Sequence, residues 1–368
     1  MDICPLIFEP IFREKVWGGR SLETLYQKPL PAGAAIGESW ECADLENAVS
    51  VVSRGPAKGR SLRELIDAWG EGLLGRASLV DGRFPLLIKF LDAQQDLSIQ
   101  VHPDEAWAKQ MGGPVRVKHE AWHVIRAEPE ACIYRGLRPG ATVDELRTAV
   151  TVRPAAILEY LERIPVKAGQ TYFLPSGTPH ALGAGTVVAE VQTPSDITYR
   201  LYDWDRTRPG ADAGLHIEEG LACIIPEIDF ASYEKRSHVT SLFTTVSRLV
   251  KCPSFVMEKV RFIGELEQEI PYSELVCWIV LEGEGSVLFD RDGELGFRPG
   301  DVVILPAALR NARIQTKTDC AWIEVTVPAE SDLAGHQRPS ADSLRQTGPA
   351  GPKPIQLGIS VRRPDGQK

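Results

Sequence analysis

The sequence predicts a mainly β protein built from two small antiparallel barrels with a few peripheral helices. Three observations carry this. Glycine (32) and proline (27) are spread along all 368 residues and cut the chain into many short apolar runs, the punctuation of a sandwich or barrel rather than of a βαβ series. The runs are rich in β-branched and aromatic residues. One motif occurs twice: KAGQTYFLPSGTPH at Lys167–His180 and RPGDVVILPAALRN at Arg298–Asn311. Gly169 aligns with Gly300, Leu174 with Leu305, Pro175 with Pro306, and His180 with Asn311. Strand, glycine turn, strand, proline turn is how a small barrel is assembled, and the wide separation indicates a duplicated domain rather than a solenoid.

Strands are expected at Pro85–Leu91, Leu97–Val101, Ala121–Ile125, Ala131–Tyr134, Thr171–Leu174, Val187–Val191 and Thr198–Leu201. The second half adds Val276–Leu281, Ser286–Phe289, Val302–Leu305 and Ala321–Val327. Helices are fewer. Ser61–Trp69 opens with Ser61 and has Glu64 three residues on, a capping box. Thr142–Leu161 has helical apolar spacing, which Pro154 divides. His216–Ile225 is the third. At roughly 150 residues per domain the length accommodates two domains: 1–253 with a helical insertion, 254–328 as a second barrel, and 329–368 as a polar tail rich in Gly and Pro, expected to be disordered.

Composition excludes several classes. The chain carries 41 basic and 50 acidic residues, a net charge of −9, and has no basic helix or aromatic platform, so nucleic acid is not an expected partner. No run of about 18 apolar residues is present, which argues against a membrane span, and MDICPLIFEP lacks the basic start of a secretory signal. The seven cysteines are scattered with no CxxC, as expected of buried free thiols in a reducing cytoplasmic setting. A monomer or weak homo-oligomer is expected.

The chemistry points to a metal. Gln100 and His102 stand at i and i+2 in LSIQVHPD, so a strand presents both on one face. Glu120 begins the next strand and His180 ends the first copy of the repeated turn. Two nitrogens and two oxygens suit zinc or another divalent first-row ion. His119 and His123 compete for this role, but each is an odd number of residues from Glu120 and should face away. Gln100 has a second reading as a hydrogen-bonding barrel residue. Asn311 replaces the histidine in the second copy, so chemistry is expected only in the first.

These residues carry a resemblance. Gly169-x5-Pro175-x-Gly177-x2-His180 resembles the second motif of the cupin superfamily, except that Ala184 stands where the terminal Asn is usual. The chain more specifically resembles the class I mannose-6-phosphate isomerases, short bacterial form, over nearly all of residues 5–225. The match includes Val16-Trp17-Gly18-Gly19, Gly37-Glu38-Ser39-Trp40, Leu87-Ile88-Lys89-Phe90-Leu91, LSIQVHPD at Leu97–Asp104, Lys118-His119-Glu120, and Ser195-Asp196 with Arg200. The resemblance implies two cupin-like (jelly-roll) barrels, one zinc ion per chain held by Gln100, His102, Glu120 and His180, and interconversion of mannose 6-phosphate and fructose 6-phosphate through an enediol.

That reaction needs a proton moved between C1 and C2, a base of tuned pKa, and cations for the enediolate and the phosphate. Arg200 supplies a planar fork of donors, against a surface pairing with Asp203 or Asp205. Lys118 is the substrate-contacting lysine that the resemblance implies. Lys89 sits in the apolar run PLLIKFL, where an amine must meet a carboxylate or an anionic ligand; it is read as substrate-binding. Glu190 and Asp196 match acidic positions of the family site, and either serves as acid or base or orients Lys118 and Arg200. Trp17 and Trp122 are read as core or pocket wall. Two rival functions remain: a metal-dependent cupin dioxygenase, disfavoured because Gln100-x-His102 replaces His-x-His, and a non-catalytic sugar-binding cupin.

Overall fold

The computed structural model describes residues 2–112, 115–206, 214–329 and 361–362. Apart from the short pair Asp44–Leu45 and Ala48–Val49, its strands fall into two pairs of sheets. In the N-terminal unit a six-stranded sheet runs in the order Ile11–Gly19, Ile36–Cys42, Leu87–Ala93, Thr186–Gln192, Glu120–Ala127 and Thr171–Leu174. A five-stranded sheet orders Tyr199–Tyr202, Ile99–Val101, His180–Leu182, Cys132–Leu137 and Leu161–Pro165. Trp122, Val188 and Leu174 from the first pack with Ile133 and Leu182 from the second in one buried cluster. This is the two-layer jelly-roll arrangement expected of a cupin.

The C-terminal unit repeats the plan. Val256–Phe262, Cys320–Thr326, Val276–Glu282 and Val302–Leu305 follow one another in the places held in the first unit by Leu87–Ala93, Thr186–Gln192, Glu120–Ala127 and Thr171–Leu174. The facing sheet contains Gly293–Phe297, Gly285–Phe289, Arg313–Thr316 and Glu267–Glu269, with Val361–Arg362 paired to Glu267–Gln268. Apart from that pair, the tail expected at 329–368 lies outside the described residues beyond Ala329.

The expected strands all form, with ends displaced by one to a few residues. The strands not expected include interior ones, His180–Leu182, Val256–Phe262 and Arg313–Thr316, as well as strands at the sheet edges. Ile11–Gly19 and Ile36–Cys42 flank Leu87–Ala93; their charged residues broke the apolar pattern. The hairpin Ser237–Thr240 and Thr244–Lys251 joins the C-terminal sheet beside Val256–Phe262. Its first strand is fully exposed, which removes the alternation that identifies a strand.

The helices follow their signals. Ser61 caps Leu62–Trp69 with both hydrogen bonds of a capping box to Glu64, and Thr142 does the same with Glu145 for Val143–Val152. Pro154 ends that helix and opens the 3-10 turn Pro154–Glu159, because proline lacks the N–H an α-helix needs. Ile217–Cys223 forms the third. All seven cysteines are buried and free. Among the described residues no helix is long and apolar enough to cross a membrane.

The two units share a continuous apolar core in which Leu6, Phe90 and Phe173 cluster with Phe255, Ile304 and Ile323. A buried ion pair reinforces the seam. Lys28 Nζ donates to Glu41 Oε2 of the first unit and to the carbonyl of Gly300 in the second, both at 2.7 Å. Ser39 satisfies the other oxygen of Glu41. Removing one member of such a pair strands its partner's charge. Lys28→Ala is therefore expected to destabilise the chain by about 3–5 kcal/mol, which chemical unfolding measures.

Candidate active site

The first-unit registers bring the chemistry-bearing residues to one place. In the six-stranded sheet Glu190 lies opposite both Lys89 and Trp122, and Gln192 opposite Glu120. In the facing sheet Gln100 lies between His180 and Arg200. Because side chains alternate along a strand, Glu120 and Trp122 share the inner face and His119 and His123 turn away. His119 accepts the backbone N–H of Ser176 through Nδ1 at 3.0 Å, and His123 pairs with Thr171 at 2.9 Å. Neither joins the cluster.

His102, Glu120 and His180 form the one group among the described residues able to hold a metal ion, with one donor atom from each lying within 4.8 Å of the others. Each residue is only 1% exposed. His102 Nε2 is 3.2 Å from Glu120 Oε1, and His180 Nε2 is 3.3 Å from Glu120 Oε2. Both nitrogens of His102 and Oε2 of Glu120 nevertheless lack a hydrogen-bond partner, an arrangement that is costly unless something sits between them. The donors fit a cation. His180 Nδ1 lies 2.8 Å from the carbonyl of Thr178; donation there leaves the Nε2 lone pair for a metal. The Gln100 amide reaches to 3.3 Å from His180 Nε2, and its two ends are told apart only by hydrogen-bonding context, so its oxygen is available as the fourth donor.

Electrostatics keeps His102 and Glu120 in ligand form. Burial, aided by the Lys118 charge, lowers the His102 pKa to about 3, so the imidazole stays neutral. Burial alone would raise Glu120. The Lys118 ammonium, 2.7 Å from its Oε1, and the two histidines outweigh that and hold the carboxyl well below its ordinary value.

A second layer of charge surrounds the first. Glu190 Oε2 accepts the Trp122 indole N–H at 2.8 Å, and Oε1 lies 3.2 Å from Lys89 Nζ. Burial raises the Glu190 pKa, and the neighbouring Glu120 charge adds to this against Lys89 and Lys118. Lys89 has a second carboxylate, Glu38, at 3.8 Å. Although burial favours loss of its proton, Glu190 and Glu38 hold the ammonium charged. Glu38 also pairs with Lys15 at 3.1 Å. Despite burial, the two lysines lower its pKa to about 2.

A cavity of about 260 Å³ opens over this array, lined by Gln100, Glu120, Lys89, Lys118, Glu190, Asp196 and Arg200 among others. Every site residue expected from the sequence except the enclosed His102 and His180 lines it. Trp17 lines its wall as expected, while Trp122 does more, holding Glu190 in place. Lys15, Glu38 and His216 also line the cavity and were not anticipated as site residues. For Glu38 the signal was Lys89, whose burial demanded an acid. The cations expected to stand ready for a phosphate are in place, but Lys89 and Lys118 are already paired with carboxylates, because a buried ammonium needs a counter-charge. A larger cleft of about 900 Å³ lies between Gly136–Asp144 and Ile225–Phe230 and holds none of these groups. Convergence of ionisable residues, not size, marks the site.

Jelly-roll units with a buried His–Glu–His group in the first define a metal-binding enzyme of cupin type. Residues 6–130 match phosphomannose isomerase type I, catalytic domain, and the mannose-6-phosphate isomerase ManA of Bacillus subtilis is 35% identical over 326 residues, 87% of this chain and 98% of that protein. The chain belongs to the type I phosphomannose isomerase family. A mannose-6-phosphate isomerase of Streptococcus mutans is 36% identical over 317 residues, covering 83% of this chain and 94% of the relative. The solved mannose 6-phosphate isomerase of Bacillus subtilis superposes with a TM-score of 0.78 at 31% identity, over 88% of this chain and 100% of that one. A mannose 6-phosphate isomerase solved with zinc and yttrium bound shares the fold, with a TM-score of 0.68 at 18% identity over 88% of this chain and 100% of that one.

His180→Ala is expected to abolish stoichiometric metal binding while the far-ultraviolet circular dichroism stays that of a folded β protein. Asn311→Ala, in an exposed turn of the second unit, should bind metal like the parent. Elemental analysis of the dialysed proteins checks both.

Proposed function

We propose that this chain is a zinc-dependent aldose–ketose isomerase that interconverts D-mannose 6-phosphate and D-fructose 6-phosphate through an enediol. The observation that carries this is the juxtaposition of a buried His–Glu–His metal group with the buried Glu190 carboxyl beneath one small cavity that Glu120 and Glu190 both line. The activity printed for the relatives accords with it, as does the zinc bound by a fold neighbour.

His102, Glu120, His180 and the Gln100 amide oxygen are the ligands, one ion per chain. When bound, the metal supplies Lewis-acid stabilisation and a template for the substrate oxygens. Glu190 is the residue we assign to move the proton between C1 and C2. Its raised pKa brings it toward the range in which a carboxyl both takes and returns a proton, and Trp122 and Lys89 fix its orientation. Asp196 is exposed and is assigned to orient substrate at the rim. Lys118 holds Glu120 ionised and offers further N–H bonds to an enediolate oxygen. Arg200 provides the planar fork for anionic oxygens. Lys89 acts chiefly through Glu190 and Glu38. The catalytic unit is residues 1–253 less the hairpin from Ser237, and the second unit is structural. A sugar phosphate is the partner; nucleic acid, membrane and a strong oligomer are not part of the reading, and a cytoplasmic location goes with it.

Zinc-loaded protein incubated with mannose 6-phosphate is expected to form ketose, and a chelator to abolish this. Because the Glu190 carboxylate is the active form, kcat/KM should fall as pH drops through a limb lying above 4.5, the ordinary glutamate value. No ketose from loaded protein, or a limb at or below that value, would contradict the assignment.

A further inference from the structure

We propose that His216 is a substrate-binding residue of this site, donating from Nε2 to the phosphate of the sugar phosphate beside Arg200. The inference rests on the proposed reaction for the ligand's identity and on the following geometry for the residue.

His216 lines the same cavity as Arg200, Asp196 and Lys118. It occupies the N-cap position of Ile217–Cys223 but makes no side-chain capping bond, so its imidazole is not serving the helix. Its backbone is tied instead to the strand that carries Arg200. The His216 N–H donates to the Arg200 carbonyl at 2.7 Å, and the Arg200 N–H donates to His216 Nδ1 at 3.3 Å. With Nδ1 accepting, the neutral ring carries its proton on Nε2. No hydrogen bond to Nε2 occurs within the described residues. The ring is steadied by Tyr199, centroid to centroid 5.9 Å. The result is an oriented donor with no partner among the described residues.

Exposure decides which end of the substrate it meets. His102, Glu120 and His180 are 1% exposed and form the floor, where C1 and C2 must lie for Glu190 to reach them. A phosphate dianion is costly to bury, so it belongs at the partly exposed rim, where Arg200 and His216 sit. Lys89 and Lys118 are 4% exposed and committed to carboxylates. Arg200 and His216 share the partly exposed part of the lining, so a phosphate there meets a guanidinium and the His216 N–H together. Hydrogen bonds to an ionised acceptor are the strong kind, so one such contact distinguishes the phosphorylated sugar from the free sugar.

Two substitutions separate this role from a structural one. Asn reaches only as far as Nδ1 and keeps the link to the Arg200 N–H; Gln reaches to Nε2 and gives up that link. The probe is D-glucitol 6-phosphate, which has no carbonyl to react, against D-glucitol, both titrated calorimetrically into zinc-loaded protein. His216→Asn should weaken the phosphorylated probe about tenfold, as loss of one hydrogen bond to a charged group implies. It should raise KM for mannose 6-phosphate by a similar factor, with a smaller fall in kcat. His216→Gln should recover most of the affinity. The reverse ranking would show that His216 acts only by holding strand to helix, and unchanged affinity in both variants would also overturn the proposal. If the probe binds with the expected ranking but wild-type protein makes no ketose, the reaction fails and the His216 assignment stands.

Discussion

The architecture of the first unit is organised around one buried carboxylate. Glu120 is 1% exposed, so its charge must be met by protein or by an ion. Lys118 meets one oxygen, His102 approaches the same oxygen and His180 approaches the other. The charges that Glu120 creates then propagate. Burial, with the Glu120 charge adding to it, raises Glu190, and Lys89 opposes this; Lys89 also meets Glu38, which in turn meets Lys15. Acid and base alternate along this chain of contacts, so that nearly every buried charge has an opposite neighbour. The global charge of −9 is therefore no obstacle to an anionic substrate, since local pairing and the metal determine the field inside the cavity.

The duplicated unit shows what happens when that carboxylate is absent. Val276 occupies the register of Glu120: each stands opposite a leucine, Leu305 or Leu174, and a residue two beyond the inward glutamate, Thr326 or Gln192. The Trp–Glu pair persists, with Trp278 Nε1 donating to Glu324 at 3.1 Å where Trp122 donates to Glu190 at 2.8 Å. Glu258 stands opposite Glu324 in the place of Lys89, and it pairs with Arg248 instead. Burial raises Glu324, and Tyr272 also donates to it. The Trp–Glu frame recurs, no His–Glu–His group accompanies it among the described residues, and the unit shares its core with the first.

The gathering of His102, Glu120 and His180 was legible because strand periodicity is a local rule. Gln100 and His102 stand two apart, Glu120 starts a strand, and His180 closes a turn that the sequence writes twice. The same rule separated His119 and His123 from the cluster. Fold class was legible for a similar reason, since short apolar runs between glycines and prolines report strands directly. What escaped was long-range. Glu38 reaches Lys89 only because two strands distant in sequence pair in the sheet, and His216 reaches Arg200 only because a helix start is hydrogen-bonded to a strand. The edge hairpin Ser237–Lys251 is half solvated and carries no apolar alternation. The difference between Glu190 and Asp196 is one of burial, one carboxyl enclosed and the other exposed, which the sequence does not state.

X-ray absorption at the zinc edge of the loaded protein tests the central claim most directly. The account predicts one ion per chain with nitrogen and oxygen donors at about 2.0–2.2 Å, two of them imidazoles, and no sulfur, since none of the seven buried cysteines lines the cavity. A sulfur shell near 2.3 Å, a single imidazole, or more than one ion per chain would contradict it.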